Sequence, residues 1–201
     1  PDPTYKPFET KLLETNPFLK VAFLSPNREL VEVQSQLIGS YNFNNIMTAI
    51  TIGRYFKVPP EKIKSAIENY LPKNNRSQVV KQNSNTFILD AYNANPTSMK
   101  HALNNFSKMD GDSKVVILGD MLEMGEYSFP EHEGILNQAE SLNFDSIIIV
   151  GNEFEKIPRN DSVLHFENTQ KLKQWFDNQG FKNTHFLIKG SRGIGLEKLL
   201  G

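Results

Sequence analysis

The residues best suited to chemistry form one short phrase, Asp90-Ala-Tyr-Asn-Ala-Asn-Pro96. It brings a carboxylate, a phenol and two carboxamides into a single turn, and all of these groups form hydrogen bonds readily. Asp and Asn also serve as plain turn formers. Because the phrase holds more polar side chains than a helix cap requires, we interpret it as a candidate ligand-binding turn.

The residues around this phrase predict a strand followed by a helix. Thr86–Leu89 is apolar and rich in strand-forming residues. After Pro96, apolar residues recur at the i, i+3, i+4, i+7 spacing of one helix face. Asn95 is the predicted N-cap and Pro96 the first helical residue. The free N–H groups and the helix dipole then point beyond the strand end, where open α/β sheets bind ligands.

Three further clusters stand at a helix start, in a linker and at a strand end. Gly39–Asn45 opens a helix and places Asn42 and Asn45 on one face, where carboxamides can bind a base edge; capping alone would also explain them. Arg76 lies in a polar linker, where an arginine is usually only solvated. Leu187–Arg192 ends a strand in a Gly-Ser turn with two cations, which suits a carboxylate or phosphate.

Familiar enzyme signatures are absent from the sequence. Gly190 and Gly195 have the glycine spacing of a Walker A loop, yet Leu196 and Glu197 occupy its Lys and Ser/Thr positions. The four histidines are scattered and there is no cysteine, so no metal site is predicted.

Composition argues against several classes of protein. Lys plus Arg (22) nearly balance Asp plus Glu (23), which creates no field for nucleic acid or an anionic membrane. The lack of cysteine fits a reducing compartment. The longest apolar run, Ile147–Val150, is far shorter than the roughly 20 residues of a membrane span. The chain begins with Pro1 rather than Met, and we expect it to be part of a longer protein.

Periodicity divides the chain into two unequal parts. Residues 1–73 contain a turn-rich start, a hairpin around Ser25–Arg28 and two amphipathic helices, and resemble the tail of a larger domain. Residues 74–201 alternate strands and helices, which predicts an α/β fold, Rossmann-like, with a mostly parallel sheet and helices on both faces. Ser40 and Ser128 are predicted helix caps. Strands are predicted near 78–81, 86–89, 114–118, 146–150, 162–166 and 185–189, and helices near 97–108, 131–142, 169–178 and 194–200.

Taken in order, these phrases resemble the Mur ligase family of bacterial cell-wall synthesis, and within it the MurF type. The combination of Tyr-Asn-Ala-Asn-Pro with Lys-Gly-Ser-Arg separates this type from its sister ligases. The matching stretches are Leu37–Asn45, Asn75-Arg76, Leu89–Met99, Leu118–Gly125 and Lys189–Arg192.

The resemblance implies a three-domain enzyme. Residues 74–201 would be its C-terminal domain and residues 1–73 the end of its central ATPase domain. The implied reaction uses ATP and Mg²⁺ to convert the carboxylate of UDP-N-acetylmuramoyl-tripeptide into an acyl phosphate, which the amine of D-alanyl-D-alanine then attacks. The family's P-loop and its central lysine do not occur in these residues, so no catalytic set is complete and the chain alone is expected to be inactive. We expect a cytoplasmic monomer without nucleic-acid or membrane partners.

The resemblance assigns five residues to the nucleotide. Asn42 and Asn45 are expected to contact adenine, Arg76 the ATP phosphates and Asp90 the ribose hydroxyls. Tyr92 is expected at the cleft wall near the nucleotide.

Five more residues are assigned to the substrate side. Asn93 and Asn95 are expected at the cleft wall. Lys189, Ser191 and Arg192 are expected to face the peptide, including the terminal carboxylate of the incoming dipeptide.

Two other interpretations stay open. The chain could belong to a sister amide ligase, either another Mur step or a folylpolyglutamate-type synthetase. It could also be a free-standing nucleotide- or peptide-binding α/β module. One departure from the family pattern is Tyr41, where many relatives have His; we assign it stacking or packing only.

Overall fold

Two β-sheets organise residues 10–73 and 75–201, which are the residues that this computed structural model describes. The chain divides into a first unit, Pro1–Pro72, and a second unit, Lys73–Gly201. The division lies one residue before the predicted boundary between residues 73 and 74. The first nine residues of the predicted turn-rich start lie outside the described residues.

The first unit contains a three-stranded antiparallel sheet and two helices. The strands lie side by side in the order β1 (Thr10–Glu14), β2 (Phe18–Leu24) and β3 (Leu30–Ile38). The predicted hairpin is confirmed, since Leu24 pairs with Leu30 across the turn. Strand β1 corrects the prediction of a turn-rich start. It is an edge strand without a fully buried residue, so its local sequence carries little strand signal.

The helices of the first unit are α1 (Asn42–Tyr55) and α2 (Pro60–Glu68). The N-cap of α1 is Tyr41, so the predicted cap at Ser40 is one residue too early. Pro60 opens α2, where its missing N–H costs no hydrogen bond. Both helices contribute to one core with the sheet, whose buried members are Leu19, Val21, Phe23, Val33, Ile46, Ile50, Ile63 and Ile67.

The second unit is an α/β domain with a six-stranded sheet in the order β4-β5-β9-β6-β7-β8. Strand β4 runs antiparallel to β5, and all other neighbours are parallel. The predicted mostly parallel sheet is therefore confirmed. The strands are β4 (Gln78–Gln82), β5 (Asn85–Asp90), β6 (Ser113–Gly119), β7 (Ser146–Val150), β8 (Val163–Phe166) and β9 (Thr184–Lys189). The helices are α3 (Pro96–Ser107), α4 (Ser128–Ser141), α5 (Asn152–Glu155) and α6 (Thr169–Phe176).

Both faces of this sheet are covered. Phe87, Ile88 and Leu89 are consecutive in β5 and all buried, although neighbouring side chains point to opposite faces. One face packs against Leu172 of α6 and Leu196. This double burial explains why the strands are continuous apolar runs in the sequence. No helix among the described residues is long and apolar enough to cross a membrane.

Three local predictions for the second unit need correction. The predicted helix at 194–200 is replaced by two 3₁₀ turns, Arg192–Ile194 and Leu196–Leu200, because Gly195 between them is left-handed with φ 72°. Helix α5 is too short to give a periodic pattern. Helix α4 begins at Ser128 after the N-cap Tyr127, so the predicted capping box at Ser128 does not form.

Candidate functional site

Asp90 and Lys189 meet where β5 and β9 end. Each is the last residue of its strand, and the two are register partners in the parallel pair. They meet at one edge of the sheet although 99 positions separate them in the sequence. The carboxyl ends of parallel strands are where open α/β sheets bind ligands. We call these two residues the Asp90 pair.

The Asp90 carboxylate is held on both oxygens. Lys189 Nζ donates to Asp90 Oδ2 at 2.7 Å and to the carbonyl oxygen of Asn93 at 3.2 Å. The backbone N–H of Ser77 donates to Asp90 Oδ1 at 3.0 Å. The Lys189 side chain is 2% exposed and that of Asp90 is 18% exposed, and a cation buried this deeply requires a partner. A ligand carboxylate, the contact predicted for Lys189, would have to compete with this pair.

Two arginines converge on the ring of Tyr92. The guanidinium carbon of Arg76 lies 3.7 Å from the ring centroid and that of Arg192 lies 5.5 Å away. Both distances are within the range of a cation–π contact. Tyr92 is half-buried and both arginines are exposed. We call Arg76, Tyr92 and Arg192 the Tyr92 stack.

Asn93 and Asn95 shape the turn between β5 and α3. Asn95 Oδ1 accepts from the N–H of Ser98 at 2.8 Å, and Ser98 Oγ accepts from the N–H of Asn95 at 3.1 Å. This capping box confirms the predicted cap before Pro96. Asn93 Oδ1 accepts from the N–H of Ala94 at 2.9 Å. Both asparagines remain exposed, but the side-chain oxygen of Asn95 already accepts the hydrogen bond that caps α3.

Ser191 joins two loops at the same edge. Its Oγ accepts from the N–H of Leu122 at 2.9 Å, and its own N–H donates to the carbonyl of Asp120 at 3.0 Å. Ser191 is buried, and the hydroxyl predicted to face the peptide accepts the bond from Leu122. The Asp120 carboxylate accepts from the N–H groups of Glu153 and Phe154, each at 2.9 Å, and thereby anchors α5.

Sequence reasoning missed the structural need for Gly190. A Cβ atom there would lie 2.9 Å from the Cα of Gly119, a backbone atom of the neighbouring strand β6. The glycine therefore permits the backbone after Lys189 to lie close to the backbone at the end of β6. The Gly-Ser turn is the signal for this glycine in the sequence, where it indicates only an anion-binding feature.

His132 is a second missed residue. It is fully buried, and its Nε2 accepts from the N–H of Met121 at 2.9 Å. Its Nδ1 then donates to the carbonyl of Ser128 at 2.7 Å, as a neutral imidazole does. Close by, hydrogen bonds from Lys156 and from Ser128 hold the pKa of the Glu153 carboxyl below its usual value of 4.5. These contacts fix the start of α4 against the loop that carries Asp120.

In the first unit, Asn42 and Asn45 share one helix face as predicted. Asn45 Nδ2 donates to Asn42 Oδ1 at 2.8 Å, and Asn42 Nδ2 donates to the carbonyl of Ile38 at 2.8 Å. Asn42 is buried and Asn45 is exposed. Asn42 thus orients Asn45, which keeps more of its hydrogen-bonding capacity for a ligand. Tyr41, the N-cap, is half-buried.

The groups at the edge of the second sheet fit a nucleotide. From the described residues, each Asp90 oxygen accepts one hydrogen bond, and each has a further lone pair that can accept from a sugar hydroxyl. The exposed guanidinium of Arg76 matches the geometry of a phosphate. Among residues 10–73 and 75–201, no group of three or more His, Asp or Glu side chains could hold a metal ion.

Several known proteins are similar to this chain in sequence or in fold. The UDP-N-acetylmuramoyl-tripeptide–D-alanyl-D-alanine ligase of Treponema pallidum is 32% identical over 174 residues, covering 83% of this chain and 38% of that protein. A crystal structure of MurF from Acinetobacter baumannii covers 96% of this chain and 43% of its own, with a TM-score of 0.76 and 26% identity. MurF from Thermotoga maritima, solved in complex with ADP, has the same fold, with a TM-score of 0.78, 18% identity and coverage of 96% of this chain and 45% of its own.

The sequence also matches a model of a protein family. The model described as "Mur ligase, glutamate ligase domain" matches residues 75–192, which is more than half of the chain. The matched segment contains Arg76, the Asp90 turn and the Lys189–Arg192 turn. On this match, together with the fold and the order of its motifs, the chain belongs to the Mur ligase family.

Proposed function

We propose that this chain supplies the C-terminal domain, and the end of the central ATPase domain, of an ATP-dependent amide ligase. The proposed enzyme joins D-alanyl-D-alanine to UDP-N-acetylmuramoyl-tripeptide in peptidoglycan precursor synthesis, in the cytoplasm, where ATP is available. Membership of the Mur ligase family and the name of the Treponema pallidum relative support this reaction. The chain spans 38% of the length of that relative, so the reaction belongs to the complete protein.

One observation carries the proposal: the Asp90 carboxylate and the Arg76 guanidinium lie in the same turn region of the second unit. Ser77, whose N–H bonds Asp90, directly follows Arg76 in the chain. Tyr92, which Arg76 covers, lies two residues after Asp90. A carboxylate that can accept hydrogen bonds from sugar hydroxyls and a guanidinium that can donate hydrogen bonds to phosphate are therefore held close together. A ribose and its attached phosphates require such an arrangement.

In this proposal the residues of the chain bind and orient the nucleotide. Asp90 accepts hydrogen bonds from ribose hydroxyls, and Arg76 neutralises phosphate charge while Tyr92 holds its guanidinium plane. In the first unit, the exposed Asn45, oriented by Asn42, contacts adenine. The phosphoryl group that activates the tripeptide carboxylate comes from ATP, and Mg²⁺ accompanies the ATP phosphates.

The residues proposed for the peptide side divide into two groups. Arg192 and Asn93 are exposed, and Arg192 is the cation available for the terminal carboxylate of the dipeptide. Ser191 and Asn95 instead hold the backbone that presents these groups. The role proposed for the substrate side therefore rests chiefly on Arg192.

The test is a ligation assay on the complete gene product with ATP, Mg²⁺ and UDP-N-acetylmuramoyl-tripeptide. Product mass and phosphate release are measured with D-alanyl-D-alanine and, as matched controls, with L-alanyl-L-alanine, D-alanine and glutamate. We expect an amide product with D-alanyl-D-alanine at a kcat/KM at least tenfold above each control. Preference for a single amino acid would assign the chain to a sister ligase. ATP binding without any condensation would assign it to the binding modules.

A further inference from the structure

We propose that Lys189 is a positioning residue that fixes Asp90 and its turn for nucleotide binding, and that it does not contact the peptide carboxylate. The inference rests on the proposed function in one respect, namely that Asp90 binds the nucleotide. It changes the role of Lys189 from a ligand contact to a buried support.

Burial is the first argument. The Lys189 side chain is 2% exposed, whereas Arg192, the other cation of the same turn, is exposed. An ammonium group can bind a ligand only if ligand atoms reach its N–H groups. The two cations of the turn therefore have different tasks, and only Arg192 has access to a ligand.

The hydrogen bonds of Lys189 are the second argument. One N–H of Nζ donates to Asp90 Oδ2 at 2.7 Å and another to the carbonyl of Asn93 at 3.2 Å. Lys189 thus holds both the carboxylate at the end of β5 and the backbone three residues later. With both points fixed, the turn that contains Tyr92 has little freedom to move.

The charge balance is the third argument. Lys189 and Asp90 form a close ion pair in a poorly solvated place, where the attraction between opposite charges is stronger than in water. A second carboxylate at Nζ would find two of its three N–H donors already used, and would be repelled by the negative charge of Asp90. A sugar hydroxyl, which is neutral, can instead bind a remaining lone pair of Asp90 without disturbing the pair.

Ser77 extends the effect to Arg76. The N–H of Ser77 donates to the other Asp90 oxygen at 3.0 Å, and Ser77 is adjacent to Arg76. The orientation that Lys189 imposes on the carboxylate is therefore passed to the residue that carries the proposed phosphate contact. Loss of Lys189 should weaken contacts to both ribose and phosphates.

The experiment compares Lys189→Met with Lys182→Met in the complete protein. Both changes remove a lysine charge from the same segment, but Lys182 is exposed. We measure the Kd for ATP by competition with a fluorescent ATP analogue, and the KM for D-alanyl-D-alanine at saturating ATP. For Lys189→Met we expect the ATP Kd to rise roughly 10- to 100-fold and the dipeptide KM to change less than about threefold. Lys182→Met should change neither constant.

A rise in the dipeptide KM with an unchanged ATP Kd would overturn the proposal and restore Lys189 as a peptide contact. An equal rise in the ATP Kd and in the dipeptide KM would also overturn it, since it would indicate general structural damage. ATP binding requires no dipeptide, so this result is separate from failure of the ligation assay.

A double substitution covers the case in which Lys189→Met does not fold because it leaves Asp90 without its cation. Asp90→Asn combined with Lys189→Met removes both charges. If Lys189 acts through Asp90, the double variant should bind ATP within about threefold of Asp90→Asn alone. A further tenfold loss in the double variant would show that Lys189 acts independently of Asp90, and would contradict the proposal.

Discussion

At the residue scale, the second unit separates polar side chains that solvent can reach from enclosed side chains that hold the turns in place. Asp90, Arg76 and Arg192 retain exposed surface, whereas Lys189 and Ser191 are almost completely enclosed. The enclosed residues satisfy backbone and carboxylate groups that would otherwise be mobile. Preorganisation of this kind reduces the entropy lost when a ligand binds.

Tyr92 should act through its ring and not through its hydroxyl. Replacing it by Phe keeps the face on which Arg76 stacks, so we expect the KM for ATP of the complete enzyme to stay within about twofold of wild type. Replacing it by Leu removes the face and should raise this KM roughly 2- to 5-fold, because an exposed cation–π contact contributes about 0.5–1 kcal/mol. Steady-state kinetics at varied ATP give both values.

Tyr127→Phe and Tyr127→Leu are the matched controls, since Tyr127 is 63% exposed and lies at the start of α4. If Tyr92→Phe were as defective as Tyr92→Leu, the hydroxyl and not the ring would be the functional group.

At the element scale, the edge of the sheet depends on two local devices, a helix cap and a close strand contact. The cap at Asn95 fixes where α3 begins and therefore where the Asp90 turn ends. The glycine at 190 lets the chain after β9 pass close to β6. Each device can be tested by its effect on stability, independently of catalysis.

The Asn95 cap should contribute measurable stability. Asn95→Ala removes the acceptor of the Ser98 N–H, and we expect the free energy of unfolding to fall by about 1 kcal/mol in urea titrations. Asn95→Asp keeps the acceptor and should recover most of this loss. Asn168→Ala, which removes the equivalent cap from α6, should cost a similar amount. An unchanged free energy of unfolding in Asn95→Ala would indicate that other contacts hold the first turn of α3.

Gly190 should tolerate no side chain. Gly190→Ala places a Cβ 2.9 Å from the backbone of Gly119, so the strand ends must separate, and we expect a loss of about 1–3 kcal/mol in the free energy of unfolding. Gly134→Ala is the matched control, because nothing lies within 4 Å of the new methyl group in α4. In that control the free energy of unfolding should rise by up to about 1 kcal/mol, because Ala has a better helix propensity than Gly. Equal effects of the two substitutions would refute the close-contact explanation.

At the scale of the whole molecule, the sequence predicts elements whose burial pattern is local. Strand β7 is predicted to the residue, Ser146–Val150, because a parallel strand covered on both faces is an uninterrupted apolar run. Strand β1 is not predictable in this way, because its pairing with β2 involves residues beyond the local window. The 3₁₀ turns after β9 are missed because Leu196, Leu199 and Leu200 fit a helix pattern equally well.

The candidate site shows the same limit. The sequence is enough to predict that the Asp90 and Lys189 turns each follow the end of a strand. It also indicates that the two turns lie at a common edge, since the carboxyl ends of parallel strands lie at the same edge of a sheet. Which of the two cations, Lys189 or Arg192, is buried depends on tertiary packing and has no local signal. Ser77 enters the site through its backbone N–H, which every residue except proline possesses, so its type carries no information.

The stability of the second unit should also depend on pH through Glu153. Lys156 Nζ donates to Glu153 Oε1 and Ser128 Oγ to Oε2, each at 2.6 Å, and these bonds lower the carboxyl pKa below 4.5 in the folded state. Because the folded pKa is below the unfolded one, the stabilisation is complete above about pH 4.5 and is lost as the pH falls through the folded pKa.

We therefore expect Glu153→Gln to be less stable than wild type at pH 7 by up to about 1 kcal/mol, since a neutral acceptor forms weaker hydrogen bonds. The difference should shrink below about pH 4.5, where the wild-type carboxylate becomes protonated and resembles the amide. Urea unfolding at a series of pH values measures it, with Glu126→Gln, a change at an exposed carboxylate, as the control for net charge. A difference that stays constant from pH 7 to the acid limit would show that the amide changes packing, and that the Glu153 charge does not join α4 to α5.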